Sequence, residues 1–271
     1  MIDLHFHVLP RIDDGPKTLE GSIALARAAK DAGVQILVAT PHVSPRYPND
    51  AETIVRLVDE LNARLAAECV KVDVHAGAEI AIAQIPEIAP AQFAGLTLGQ
   101  GRWLLVEPPF SPTAPTLSTV VADLQRLGYG VVLAHPERCP AFHRDPAMLE
   151  SLVRAGALTS VTAGALVGRF GSDVRNFALD LAGAEMLHNV ASDAHDRDRR
   201  PPGMVRELKR AGLARLAEWL THEVPAAILN DEEIPRRPAV TSAGTGKTWR
   251  ALWRRRDDSL RRVSRWPQSP S

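Results

Sequence analysis

The residues able to do chemistry in this 271-residue chain are placed in a pattern. Imidazoles and carboxylates stand at the ends of short apolar runs. His5 and His7 close the run at 2–4, His42 follows 35–39, and Glu79 follows 72–76. Glu107 follows 103–106, His135 follows 130–134, and Asp193 and His195 follow 188–191. His5 and His7 lie two apart in an extended segment, so both point the same way and can chelate one ion. An H-x-H pair is a weak signal alone, and a lone His42, Glu79 or Glu107 is more often a structural histidine or a salt-bridge partner. The joint pattern reverses that weighting. A carboxylate ending a run such as Trp103-Leu104-Leu105-Val106 is costly to bury unless paired or metal-bound, and several in one place demand cations. Imidazole and carboxylate ligands without thiolate suit Mn, Fe, Co or Zn, and bridging carboxylates would give a multinuclear centre.

Such residues converge only if the runs are parallel strands. The six runs above, with a seventh at 158–162, read as buried parallel strands. Amphipathic helices separate them. In 51–68, Ile54, Leu57, Val58, Leu61 and Leu65 share a face behind the N-cap candidate Asp50; Leu117, Val120, Val121 and Leu124 repeat the pattern before Gly128. Thr18 can cap an earlier helix that Gly33 ends. Strand and helix alternate about seven times, which favours a parallel sheet, doubly wound or closed as a barrel; periodicity does not choose between them. In a barrel all strand carboxyl ends share one face, and six of the seven candidate strands deliver a metal-binding side chain there.

The zero net charge hides an asymmetry. Residues 236–271 hold ten Lys or Arg against Asp257 and Asp258, leaving 32 − 10 = 22 basic and 32 − 2 = 30 acidic residues in the rest. A core domain at 1–235 followed by a basic, disordered tail at 236–271 is the expected organisation. Gly244-Thr245-Gly246-Lys247-Thr248 resembles a phosphate-binding loop, but position 241 is Thr241 and no strand precedes it, so nucleotide binding is rejected. Arg254, Arg255, Arg256, Arg261, Arg262 and Arg265, interleaved with Trp249, Trp253 and Trp266, could make a weak contact with an anionic membrane surface; a solvated tail is the plainer reading. No apolar run approaches the ~18 residues of a membrane span, and the first residues lack a basic and apolar leader, so a cytoplasmic location is expected. Cys69 and Cys139 are too few and unpatterned for a disulfide framework or a thiolate zinc site.

Four motifs carry a resemblance: residues 2–16 (IDLHFHVLPRIDDGP), Ala39-Thr40-Pro41-His42, Ala134-His135-Pro136-Glu137-Arg138 and Ala191-Ser192-Asp193-Ala194-His195. In this order they closely resemble the tyrosine phosphatases of bacterial capsule and exopolysaccharide loci in the polymerase-and-histidinol-phosphatase (PHP) superfamily. The resemblance spans roughly 1–234. It implies a distorted (β/α)7 TIM-like barrel and a centre of up to three divalent ions, manganese first. The activity it implies is hydrolysis of phosphotyrosine by metal-activated water, on a bacterial tyrosine autokinase that controls polysaccharide synthesis. Carried over by motif, His5, His7, Glu79 and Asp193 resemble the ligands of a first ion. Glu79, Glu107 and His135 resemble those of a second, and Asp14, His42 and His195 those of a third. Arg138 and Arg200 match phosphate-contacting arginines, with Arg197 and Arg199 as alternatives to Arg200. Two departures bear on substrate preference: Pro108 follows Glu107 where an aromatic is common, and the loop after His42 is rich in Pro.

A cysteine-dependent phosphatase needs an Arg six residues after its thiolate; His75 and Asp145 occupy those positions. The enzyme alternative is a PHP phosphoesterase acting on a histidinol phosphate-like small molecule or a nucleic-acid end, although a nucleic-acid partner is not expected. A third reading is an inactive metal-binding scaffold that grips the kinase tail.

Overall fold

The structure, a computed structural model, describes residues 1–239. Nine strands are present among them: β1 Ile2–Phe6, β2 Ile36–Ala39, β3 His42–Val43, β4 Asp73–Ala76, β5 Glu79–Ala81, β6 Trp103–Glu107, β7 Gly130–Ala134, β8 Leu158–Thr162 and β9 Asn189–Ala191. The helices are α1 Leu19–Asp31, α2 Ala51–Ala67, α3 Leu117–Arg126, α4 Pro140–Arg144, α5 Pro146–Arg154, α6 Ala163–Leu166, α7 Ser172–Gly183, α8 Val205–Arg210 and α9 Val224–Leu229.

Local sequence sets the helix ends. The Thr18 hydroxyl accepts from Gly21 N–H and the Asp50 carboxylate from Thr53 N–H, each supplying an acceptor to an amide the first turn leaves unpaired. At the far end of α1, Val34 N–H donates to Ala29 O and Gly33 N–H to Lys30 O, with Gly33 at φ 91°, a left-handed turn that glycine adopts without strain. The apolar faces of α1, α2 and α3 bury Ile23, Leu25, Ile54, Leu61, Leu117 and Leu124 against the sheets. No described helix is long and apolar enough to cross a membrane.

All strand pairings are parallel, in one sheet of order β1-β2-β4 and another of order β3-β5-β6-β7-β8-β9. Seven of these strands overlap the seven expected runs; β3 and β5 are additional. Each is a short continuation, β3 beyond β2 across Thr40-Pro41 and β5 beyond β4 across Gly77-Ala78. The second break requires glycine, because a Cβ at Gly77 would lie 2.7 Å from the Val38 side chain. On the other side, the end of β1 meets the segment after β9: Phe6 bridges Ala194, His7 N–H donates to Ala194 O at 2.9 Å, and Asp193 N–H to His5 O at 3.0 Å. The carboxyl ends of the strands thereby gather at one side of the molecule.

The expected domain boundary lies at 235, within the described residues. Trp219 Nε1 donates to Pro235 O at 3.0 Å, and the Arg237 guanidinium to Ala182 O at 2.8 Å, so the body still holds the chain two residues beyond that boundary. From residue 240 on the basic tail, with the Arg- and Trp-rich stretch and the glycine-rich loop at 244–248, lies outside the described residues.

Candidate metal centre

His5, His7, His42, Glu79, Glu107, His135, Asp193 and His195 come together with Asp14, which arrives on the loop between β1 and α1. Glu79 is central. Its Oε2 lies 3.1 Å from His5 Nε2, 3.3 Å from His7 Nε2 and 3.0 Å from His42 Nδ1, while Oε1 is 2.7 Å from His135 Nε2. Asp193 Oδ1 lies 3.4 Å from His5 Nε2, 3.5 Å from His7 Nε2 and 3.6 Å from His195 Nδ1. Asp14 Oδ1 stands between His195 Nε2 at 3.2 Å and His42 Nε2 at 3.5 Å, and Glu107 Oε1 is 3.8 Å from His135 Nε2. Four compact donor groups result: His7-Asp14-His42-His195, His5-His7-Asp193, His5-Glu79-His135 and His42-Glu79-Glu107. The grouping differs from the motif assignment: His7 also joins the Asp14 set, Glu79 is grouped with His5 and His135 rather than with His7 and Asp193, and His42 rather than His135 joins the two glutamates.

Backbone conformation aims two of these side chains. His135 (φ 32°) and Asp193 (φ 52°) sit in the left-handed region just past β7 and β9, a conformation that costs a non-glycine residue about 1–3 kcal/mol and persists only where the surroundings enforce it. The backbone bonds His135 N–H to Ser160 O and Asp193 N–H to His5 O supply that enforcement.

The donor chemistry fits divalent cations. Glu79 Oε2 and Asp193 Oδ1 are buried without a hydrogen bond, although each faces imidazole nitrogens. His5 Nε2 and His7 Nε2 face each other at 3.1 Å. Buried carboxylate oxygens and ring nitrogens left facing one another are costly unless a cation lies among them. Burial pushes the Glu79 carboxyl up, but the imidazoles of His5, His135 and His42 outweigh it and hold it well below the usual range. Burial acts against a charged His42 too, yet Asp14 and Glu79 raise it to about 11. Glu107 is raised to about 7, by burial and then by the Glu79 charge. The proton on His42 thus supplies positive charge that a bound ion would replace.

Asp13, to which sequence reasoning gave no role, contacts two of the candidate ligands. Its Oδ2 accepts from His7 Nδ1 at 2.7 Å and from His42 N–H at 3.2 Å, and its Oδ1 from Gly15 N–H at 2.8 Å. A His whose Nδ1–H is given to a carboxylate presents its Nε2 lone pair to an ion, which fixes the tautomer of His7. Gly15 is needed for this loop, since a Cβ there would meet His7 O at 2.7 Å. The signal was the doubled Asp13-Asp14 before Gly15. Asp3 plays a comparable part for β9, accepting from Ser192 N–H at 3.0 Å.

Both expected arginines reach the cluster. Arg138 donates to Asp193 Oδ2 at 2.8 Å; Arg200 donates to the same oxygen and lies 3.0 Å from His195 Nε2. Of the three neighbouring arginines, Arg200 is the one whose guanidinium is seen on these residues, whereas Arg199 contributes its backbone N–H to Asp196. Cys139 is buried, and burial raises its thiol pKa, the reverse of what a thiolate nucleophile needs.

Fold and site together define a parallel α/β protein whose strand ends gather clusters of His, Asp and Glu able to hold metal. A family model described as capsular polysaccharide synthesis, CpsB/CapC, matches residues 1–229, and the chain belongs to that family. It is 39% identical over 197 residues to the tyrosine-protein phosphatase YwqE of Bacillus subtilis, covering 72% of this chain and 78% of the relative. With the tyrosine-protein phosphatase CpsB of Streptococcus pneumoniae the identity is 28% over 249 residues, covering 86% of this chain and all of the relative. A crystal structure from work on YwqE and CpsB, described as metal-dependent tyrosine phosphatases, superposes with a TM-score of 0.80 at 34% identity, over 90% of this chain and 100% of that one. A dihydropyrimidinase from Brevibacillus agri, at 13% identity and TM-score 0.55, shares the fold alone.

Proposed function

We propose that this chain is a metal-dependent protein-tyrosine phosphatase whose catalytic unit is residues 1–235, built as a distorted (β/α)7 barrel of the PHP type. The observation that carries this reading is the buried carboxylate pair Glu79 and Asp193, each with one oxygen that faces imidazoles without a hydrogen bond, with two arginines on the other oxygen of Asp193, in a chain whose relatives are tyrosine phosphatases. His5, His7, Asp14, His42, Glu79, Glu107, His135, Asp193 and His195 hold up to three divalent ions, manganese foremost. Such ions supply Lewis acidity toward a phosphoryl group and lower the pKa of water from 15.7 toward about 7.

The chain's own residues do the rest. Arg138 and Arg200 bind the equatorial phosphoryl oxygens and offset their charge. Asp193, accepting from both, keeps the two guanidiniums aimed at one place. Asp13 holds His7, and Asp3 holds the turn that carries Asp193, so binding finds the donors already oriented. Neither cysteine takes part, and water is the nucleophile. The protein substrate in this reading is a tyrosine autokinase of a capsule or exopolysaccharide locus.

Metal-replete protein should hydrolyse a phosphotyrosyl peptide in preference to histidinol phosphate or single-stranded DNA, and lose that turnover on chelation. A preference for either other substrate, or turnover that survives chelation, overturns the reading. Single-turnover cleavage in ¹⁸O-water should label the released phosphate; an unlabelled product would exclude direct attack by water.

A further inference from the structure

Two large apolar side chains stand out as exposed among the described residues, Phe110 and Leu127. Leu127, at the end of α3, is an isolated surface residue of the ordinary kind. Phe110 is different because of what it stands over. It lies on the loop between β6 and α3, three residues beyond Glu107, and is 56% exposed. Its ring is stacked on His135, centroids 5.7 Å apart at 26°, and the guanidinium carbon of Arg138 is 5.3 Å from its centroid.

Support of Arg138 does not account for that exposure. Arg138 is already fixed by Asp193 at 2.8 Å and by the half-buried ring of Phe170 at 4.8 Å. Tyr47, which stacks on His42, is half-buried with Arg46 lying against its ring, and offers less open surface. Phe110 therefore leaves more than half of its surface open beside the residue that binds phosphoryl oxygens. A phosphoester held on Arg138 brings its leaving group to that surface. An aromatic ring there gains stacking and edge contacts that an alkyl group cannot match.

We propose that Phe110 is the specificity-determining residue for the leaving group, its open surface receiving the ring of an aryl phosphate and favouring phosphotyrosine over alkyl phosphates. This rests on the phosphoesterase reading above. The contact is one of binding, so its loss acts on KM and on ligand affinity more than on kcat.

The test compares Phe110→Leu, which keeps apolar bulk, and Phe110→Tyr, which keeps a ring, in the metal-replete full chain. Calorimetric affinities for phenylphosphonate and methylphosphonate are measured, with KM and kcat for phosphotyrosyl and phosphoseryl peptides of one sequence. Wild-type protein should prefer phenylphosphonate, and Phe110→Leu should weaken phenylphosphonate by about fivefold while leaving methylphosphonate unchanged. Phe110→Tyr should restore the preference, and Phe170→Leu should weaken both ligands alike. Equal losses on both phosphonates in Phe110→Leu would show that Phe110 merely supports Arg138, and overturn the proposal. So would no loss, or a wild-type protein without preference for the phenyl ligand. A Phe110-dependent phenyl preference in a protein that turns over no phosphotyrosyl peptide would sustain this inference while sinking the proposed activity.

Discussion

Two regions bury histidines and hydroxyl or carboxyl groups in this protein, and they do it differently. In the seam between β8 and β9, Thr159 N–H and hydroxyl meet His188 Nδ1 at 3.2 and 3.1 Å, and the Thr159 hydroxyl also contacts Met186 O. Beside them the Ser160 hydroxyl donates to Asn189 Oδ1 at 2.6 Å and the Asn189 amide to Leu220 O at 3.1 Å. Burial, with help from the Arg237 charge, lowers His188 from the ordinary 6.5 to about 4, so it is neutral. The strand ends hold five imidazoles among carboxylates, and there Glu79 Oε2 and Asp193 Oδ1 find no donor. Polar groups that satisfy one another are architecture; buried groups that converge and stay unsatisfied mark where something else binds.

The largest expected effect falls on the unsatisfied region. His42→Ala and Asp193→Ala should each lower turnover by about a thousandfold or more while far-UV circular dichroism and the cooperative transition are kept. Near-normal turnover by metal-replete His42→Ala would erase the distinction between the two regions. Asp13→Asn sharpens it at one remove: the His7 ring loses its carboxylate partner, and metal affinity or activity should drop about 10- to 100-fold. Titrating the metal into both proteins reads that loss, and equal affinities would reduce Asp13 to a loop residue.

The smallest effect belongs to the seam. With its folded pKa depressed, His188 binds fewer protons in the fold than in the unfolded chain between about pH 4 and 6.5. Its contribution to stability is therefore intact above pH 6.5 and falls as the pH drops through that window, by about 3 kcal/mol in all. His188→Gln should flatten the acid side of the stability curve and cost about 1 kcal/mol at neutral pH, with turnover there unchanged. Urea midpoints between pH 4.5 and 7, set beside wild type, measure the slope. A loss of turnover without loss of stability would place the seam in the catalytic machinery.

Much of the site was legible in the sequence because parallel strands present their carboxyl ends to one face, and His5, His42, Glu79, His135 and Asp193 each follow an apolar run. Helix boundaries were legible for the same local reason: Thr18, Asp50, Gly33 and Gly128 act on amides and carbonyls within a few residues of themselves. Strands β3 and β5 were not, since runs of two and three residues carry no period to read. Asp13 was hidden beside Asp14, because two adjacent carboxylates look alike until one is seen to face His7 Nδ1.

The sequence by itself determined seven of the nine described strands, the motif order and the chemical type of the donors, all of which depend on near neighbours along the chain. Tertiary structure decided which atoms meet. His135 reaches Glu79 across 56 residues, and Asp3 fixes Ser192 across 189. It also decided that Arg200 rather than Arg199 turns its guanidinium to Asp193, and that Phe110 stays open to solvent above Arg138. The left-handed turns at His135 and Asp193 are local in position yet imposed from elsewhere, by Ser160 on β8 and His5 on β1. Residue type and spacing bound what a side chain can do; where its lone pairs point is fixed by contacts between segments far apart in sequence.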